Sequence, residues 1–272
     1  GYRLACQSQI AGDLVVRVPV ESEIDASVLN MAATARKTAR IQEMDLEMLK
    51  EQGLFMPPVE KQYVELPPPT ADDHLPDVTR LVSFLKLKYK EHRLVVDLPV
   101  IRKIPDILRQ NNFKVTAVLA RPVQTGRKTR IINVESGDTS DCSYAIAMDI
   151  GTTTIYGQLL DLTSGKVLAQ NGQYNAQISY GEDVITRIMY AEKEGGLEKL
   201  HQVVIGTVNS VIEKMCQKAK IRCEQINAIT LAGNTTMTQL LLKVDPRYIR
   251  RSPYVPAATL YPPINAASLG MK

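Results

Sequence analysis

The stretch Met148-Asp149-Ile150-Gly151-Thr152-Thr153-Thr154-Ile155 decides the fold. It sets an acid near the end of an apolar run, a glycine at a bend, and three hydroxyl-bearing residues before the next β-forming run. Residues 144–148 form a short continuous apolar run, as expected of a buried central strand. Residues 155–162 read as a second strand, Ser164-Gly165 as a turn and residues 166–170 as a third strand, which together make an antiparallel meander. At the bend, Gly151 lets the backbone come close to a phosphate, and the amides and hydroxyls of Thr152, Thr153 and Thr154 are able to donate to its oxygens in a turn-shaped nest. Asp149 is suited to Mg²⁺, held through water because Mg²⁺ keeps most of its hydration. The same six residues also fit a plain hairpin turn; the flanking elements favour phosphate. Neither G-x-x-x-x-G-K-[ST] nor G-x-G-x-x-G occurs, so the device differs from the common nucleotide loops.

Working toward the C-terminus, residues 182–192 read as a helix. A longer one spans residues 197–219, with Leu200, Val204, Val208, Val211, Ile212 and Met215 on one face. A strand at residues 228–231 breaks at Gly233, and Asn234-Thr235-Thr236 starts a helix that carries Met237, Leu240, Leu241 and Leu242. After Asp245 the periodicity is lost among Pro246, Pro253, Pro256, Pro262 and Pro263, and the fold reads as cut short.

Working toward the N-terminus, Ser136, Gly137, Asp138, Thr139 and Ser140 make residues 135–141 a hinge. Before it, a helix opens at Pro76-Asp77-Val78 with Val78, Leu81, Val82 and Leu85 at helical spacing. A strand at residues 94–98, a short helix at residues 104–110, a β-rich run at residues 114–120 and a strand at residues 130–134 complete a small α+β domain. Pro57-Pro58 and Pro67-Pro68-Pro69 bracket residues 59–66, a composition that favours an extended connector over a packed element. Residues 24–52 have helical character ending at Gly53, and residues 14–18 read as a closing strand. The expected organisation is therefore residues 1–20 as the tail of a preceding domain, residues 21–72 as linker, residues 73–141 as the α+β middle domain, and residues 142–272 as a further α/β domain.

With 44% hydrophobic and 23% charged residues, the composition is that of a globular chain. No apolar run approaches the ~20 residues that span a bilayer, and no secretion signal is visible, so a cytoplasmic protein without a membrane partner is expected. Cys6, Cys142, Cys216 and Cys223 form no C-x-x-C pair, which argues against a disulfide framework or a zinc site; Cys142, Cys216 and Cys223 read as structural. His74, His92 and His201 read as surface residues. Trp is absent and Phe numbers three, which leaves no stacking platform for single-stranded nucleic acid. The net charge of +4 conceals a basic segment: residues 80–130 carry 13 Lys and Arg against three acids, either a solvated face or a surface for an acidic partner.

The strand, phosphate-type bend, hairpin and long helices resemble the first half of the actin, heat-shock ATPase and sugar-kinase superfamily. This gives an α/β fold class: an α+β middle domain followed by the N-terminal part of an actin-like, ribonuclease-H-like ATPase fold. Further segments narrow the resemblance: Tyr180-Gly181-Glu182-Asp183-Val184-Ile185, Ala232-Gly233-Asn234-Thr235-Thr236-Met237, Asp245-Pro246-Arg247-Tyr248 and Pro253-Tyr254-Val255-Pro256 are similar to the reductive activators of corrinoid proteins. In that family a [2Fe-2S] ferredoxin domain is joined through a linker and a middle domain to an actin-like ATPase domain. Arg3-Leu4-Ala5-Cys6-Gln7 resembles the last cluster-ligand segment, residues 57–69 the linker, and residues 138–154 the junction with the ATPase domain.

The resemblance implies ATP- and Mg²⁺-dependent, one-electron reduction of Co(II) to Co(I) in a corrinoid protein of a methyltransferase system. Asp149 would hold the metal, Gly151, Thr152, Thr153 and Thr154 the phosphates, and Asn234 with Thr235 would lie at the cleft. Asn234 has a second reading as a helix cap, and Glu182 and Asp183 one as complements to a helix dipole. Cys6 would be one of four [2Fe-2S] ligands, the other three being absent from this sequence. The second Asp-x-Gly loop of an actin-like fold is also absent, so the chain alone is expected to bind ATP weakly. Two other readings stay open: a sugar- or acid-kinase-like phosphotransferase, and a non-enzymatic docking module for a corrinoid protein. An unfinished fold with exposed apolar surface also leaves a homodimer open.

Overall fold

The computed structural model describes residue 12 and residues 46–55, 57–89, 93–121 and 128–271. Cys6, His92, the strand expected at residues 14–18, and the part before residue 46 of the helix expected at residues 24–52 lie outside the described residues. Every element below belongs to the unit Glu43–Lys272.

A short helix, α1 (Leu46–Glu51), stops ahead of Gly53, whose φ of 66° provides the expected glycine ending. The first sheet contains β1 (Val59–Glu65), β2 (Leu94–Val96), β3 (Lys114–Ala120) and β4 (Thr129–Ser136) in the order β1-β3-β4-β2. β3 pairs antiparallel with β1 and β4, and β2 runs parallel to β4. Helices α2 (Asp77–Tyr89), α3 (Leu98–Ile101) and α4 (Ile104–Gln110) accompany it. The helical spacing of α2 buries Leu81 and Leu85 against Ile104 and Leu108 of α4 and against Val115, Ala117, Leu119, Ile131 and Val134 of the sheet. Full burial of each such side chain is worth about 1.5–3 kcal/mol.

Two expectations change here. Val59–Glu65, read as part of a connector, is an edge strand in full register with β3, from Val59 opposite Ala120 to Glu65 opposite Lys114. The prolines that suggested a connector flank the strand, the place they can occupy without removing a ladder donor. The strand at residues 94–98 is shorter than expected, because Leu98 already begins α3 with a proline in its first turn.

The second sheet has the order β7-β6-β5-β8, built from β5 (Tyr144–Ile150), β6 (Thr154–Asp161), β7 (Val167–Tyr174) and β8 (Ile226–Gly233). β5, β6 and β7 form the antiparallel meander; the chain then passes through α5 (Val184–Ala191) and α6 (Gly196–Ala219) and returns as β8, parallel to β5. This is a mixed α/β arrangement, as the sequence led one to expect. Ile146, Met148, Ile150, Ile155 and Leu159 form one core with the face of α6 expected from the sequence, Leu200 to Met215. Gly157 brings sheet and helix together, since a Cβ there would meet Met215 Cε at 3.0 Å and Met148 Cε at 3.1 Å. β8 leads into α7 (Thr235–Leu241).

The segment after Asp245, expected to lack a packed ending, is tied to the body. Glu192 receives hydrogen bonds from Arg250 and Arg251, Asn209 Nδ2 donates to Gly270 O at 2.9 Å, and Met271 is buried in the second core. Cys216 and Cys223, read as structural, face each other with sulfurs 2.7 Å apart as free thiols. His201 is half-buried, its Nδ1 lying 2.8 Å from Leu241 O. Among the described residues, no helix is long and apolar enough to cross a membrane.

Candidate functional site

β5 and β8 run parallel and end side by side, with Ile150 opposite Gly233. In open α/β sheets, ligands bind beyond the carboxyl ends of such strands. Two segments emerge there: the bend at residues 151–154 and the start of α7. Pleating sends Ile146, Met148 and Ile150 into the core beneath α6, and turns Asp149 to the opposite face, where it is exposed.

The bend is the tip of the β5–β6 hairpin. Gly151 N donates to Thr154 O at 3.0 Å, and a Cβ on Gly151 would lie 2.4 Å from that same oxygen, so only glycine closes the turn. Thr152 and Thr153 reach the surface, half-buried and exposed respectively, and among the described residues their N–H groups donate to nothing. The arrangement behind them accounts for this. Asn175 Nδ2 donates to Gly151 O at 3.0 Å, Arg187 Nη2 to Thr152 O at 2.6 Å, and the Asn175 amide to Thr153 O at 2.8 Å. Three successive carbonyls are drawn inward. In a planar trans peptide the following N–H points the opposite way, so the amides of Thr152 and Thr153 face away from Asn175 and Arg187, while Thr154 turns toward Gly151. Successive main-chain N–H groups left without a partner in a turn are of the kind that can cradle an anion.

The start of α7 meets this bend. Asn234 caps the helix, its side-chain oxygen accepting from Met237 N at 3.0 Å, while its Nδ2 donates to Thr152 Oγ1 at 3.2 Å. Asn234 thus caps the helix and touches the phosphate-type loop at once, and exposed Thr235 follows it. Gly233 keeps the approach close, since a Cβ there would lie 3.1 Å from Ile150 O. Asp149, Gly151, Thr152, Thr153, Asn234 and Thr235 are brought to one end of the sheet; Thr154 begins β6 and closes the turn through its carbonyl. Asp183 is engaged elsewhere, in a capping box with Thr186 at the start of α5, and hydrogen bonds from the Thr186 amide and hydroxyl hold its carboxyl below the usual range. Glu182 is exposed beside it.

Sequence reading did not single out the layer beneath the loop: Asn175, Gln177 and Arg187, all with no exposed surface. Asn175 caps a 3-10 turn (Ala176–Tyr180) by accepting from Gln177 N, and Gln177 Nε2 donates to Leu200 O at 3.0 Å. A signal for Arg187 is present in the sequence: Val184, Arg187, Ile188 and Ala191 share one helical face, and an arginine is out of place in such a stripe. Among the described residues no group of three or more His, Cys, Asp or Glu is arranged as a metal site. Magnesium on nucleotide needs no such cluster, since it takes one or two carboxylates and otherwise water and phosphate. An exposed Asp149 beside a glycine-cradled row of amides fits that requirement.

With this corner on a chain of two mixed sheets, the class is that of a mixed α/β protein in which a glycine bend and a helix start meet at the ends of parallel strands. Two family models match consecutive parts of the chain: the RACo linker region over residues 48–141 and the RACo middle region over residues 144–272. The chain belongs to this family of reductive activators of corrinoid proteins. A curated relative, the corrinoid activation enzyme RamQ of Eubacterium limosum, is 38% identical over 128 residues, which cover 46% of this chain and 22% of the relative. A solved structure titled reductive activator for corrinoid, iron-sulfur protein is 40% identical with a TM-score of 0.69, covering 79% of this chain and 34% of that one. The chain thus spans about a third or less of the length of these relatives.

Proposed function

We propose that this chain supplies the phosphate-gripping part of an ATP-dependent activator that returns a Co(II) corrinoid to Co(I) by one-electron reduction. The observation that carries the reading is the outward row of amides at Thr152 and Thr153 with exposed Asp149 beside it, in a chain of this family. The amides and hydroxyls of Thr152 and Thr153 bind terminal phosphate oxygens, and Gly151 allows the approach. Asp149 would hold Mg²⁺ through water, and the metal would supply neutralisation of phosphate charge. Asn234, bonded to Thr152 Oγ1, carries its carboxamide to the edge of the same site, with Thr235 beside it, in reach of an attacking water. Cys6 would supply one ligand of a [2Fe-2S] cluster, which would furnish the single electron; because Co(I) is strongly reducing, that reduction of Co(II) would run uphill. Nucleotide-dependent rearrangement offsets that gap, since contacts to the γ-phosphate hold one arrangement that hydrolysis releases. The corrinoid protein docks through acidic surface complementary to the basic segment at residues 80–130.

The test uses the protein at its native length with a Co(II) corrinoid protein, following Co(I) by its absorbance with and without Mg·ATP. Asp149→Asn is expected to lower the ATP-dependent rate by about 10²-fold, as for loss of a group that stabilises developing charge, with an unchanged circular dichroism spectrum. ATP consumption that depends on a sugar and leaves Co(II) untouched would replace this reading with a kinase.

A further inference from the structure

Arg187 has no exposed surface, and among the described residues no carboxylate lies within ion-pair distance of it. A charge so placed is costly, and a well-packed apolar side chain would usually serve stability as well or better. Its guanidinium instead spans three oxygen acceptors and a thioether. Nε donates to Gly181 O at 2.8 Å, Nη2 to Thr152 O at 2.6 Å, and Nη1 to Gln177 Oε1 and Met237 Sδ, each at 3.3 Å. One cation therefore joins the phosphate-type loop, the 3-10 turn, the start of α5 and α7, and only the planar fork of arginine reaches all of them together. The local sequence is shaped to this: a Cβ on Gly181 would lie 2.7 Å from Arg187 N.

We propose that Arg187 is a positioning residue for the phosphate loop: by holding the Thr152 carbonyl inward it presents the Thr153 amide to the bound anion, and it sets a buried positive charge, which Asp183 faces only at longer range, behind the loop. Asn175 does the same for the neighbouring peptide through Gly151 O, so the two side chains form one platform under the nest. The platform couples the loop to α7, because Met237 touches the guanidinium and the Met237 amide bonds to Asn234. The ligand part of this inference rests on the nucleotide reading above; the loop-positioning part does not.

Two measurements on Arg187→Gln, made at native length, keep those parts separate. Hydrogen exchange reads the loop directly: the Gly151 and Asn175 amides, which bond to Thr154 O and Thr153 O, are expected to exchange about tenfold or more faster, while the core amides of β6 stay unchanged. Nucleotide kinetics read the consequence: KM for Mg·ATP is expected to rise about tenfold, with kcat altered less, as a misplaced binding group predicts. A general loss of stability would instead speed exchange throughout the sheet. Should Arg187→Gln fail to fold, Arg187→Lys serves in its place, because an ammonium keeps the charge yet holds fewer of the four acceptors, and the same two shifts are expected at smaller size. A folded variant with wild-type exchange at Gly151 and Asn175 overturns the proposal, as does wild-type KM in a variant whose parent binds Mg·ATP. If the parent binds no Mg·ATP yet the loop amides still accelerate, the nucleotide reading falls and the positioning role stands.

Discussion

Replacing Gly151 with alanine adds one methyl group and tests the geometry of the bend without any ligand. The new Cβ would lie 2.4 Å from Thr154 O, an oxygen that already accepts from Gly151 N at 3.0 Å. Neither atom has room to give, because both belong to the backbone of one tight hairpin flanked by the paired residues Ile150 and Ile155. The turn has to open and that hydrogen bond is lost. Its net worth is about 1 kcal/mol, and overpacking strain adds about 1–3 kcal/mol, for a total of roughly 2–4 kcal/mol. For a chain of this size that corresponds to a fall in melting temperature of roughly 5–15 °C. Gly206, exposed within α6, is the control: no atom lies within 4 Å of a Cβ added there, and alanine is the better helix former. Gly206→Ala is expected to stabilise by about 0.5–1 kcal/mol. Urea unfolding followed by far-ultraviolet circular dichroism measures both. Equal stability of Gly151→Ala and the parent, or losses of the same size at the two glycines, would refute the account of the bend.

Two further outcomes follow from the electrostatics. Burial, then the hydrogen bond with Cys223, pushes the Cys216 thiol up to about 12, so the native state holds that proton more tightly than the unfolded chain. The associated stability is complete below the unfolded thiol value of 9.0 and lost as pH rises toward 12; alkylation of native Cys216 at neutral pH should be far slower than in urea, as mass-spectrometric labelling would reveal. Glu192 behaves in the opposite sense. Hydrogen bonds from Arg250, and then from Arg251, hold its carboxyl below the ordinary 4.5, so its contribution is present above that value and disappears as pH falls through the lowered one. Trypsin should therefore cut at Arg250 and Arg251 faster in Glu192→Gln than in the parent at neutral pH; equal rates would show that the tie does not hold the segment.

The division between what was legible in the residues and what was not follows physical range. Leu200, Val204, Val208, Val211, Ile212 and Met215 repeat at helical spacing, and the runs on either side of Gly151 are short and apolar, so α6, β5 and β6 and their shared core could be read from neighbours a few positions apart. Gly151, Thr152 and Asn234 were legible for the same reason: a tight bend and a helix cap are set by the local chain. The connector that proved to be β1 was misread because its proline flanks are a local signal, whereas its pairing with β3 is decided by a strand some fifty residues away. The pairing of Cys216 with Cys223 depends on how the chain turns after α6, which spacing alone does not specify.

The sequence by itself determined which residues make up the bend and which faces of the helices are apolar, because backbone sterics and hydrophobic periodicity act over a few residues. Only the tertiary structure decided that Asn175, Gln177 and Arg187 lie beneath that bend and that Asn234 reaches Thr152. Those contacts join positions between 24 and 82 residues apart, and a polar side chain removed from water takes whatever acceptors the packed core sets within its reach.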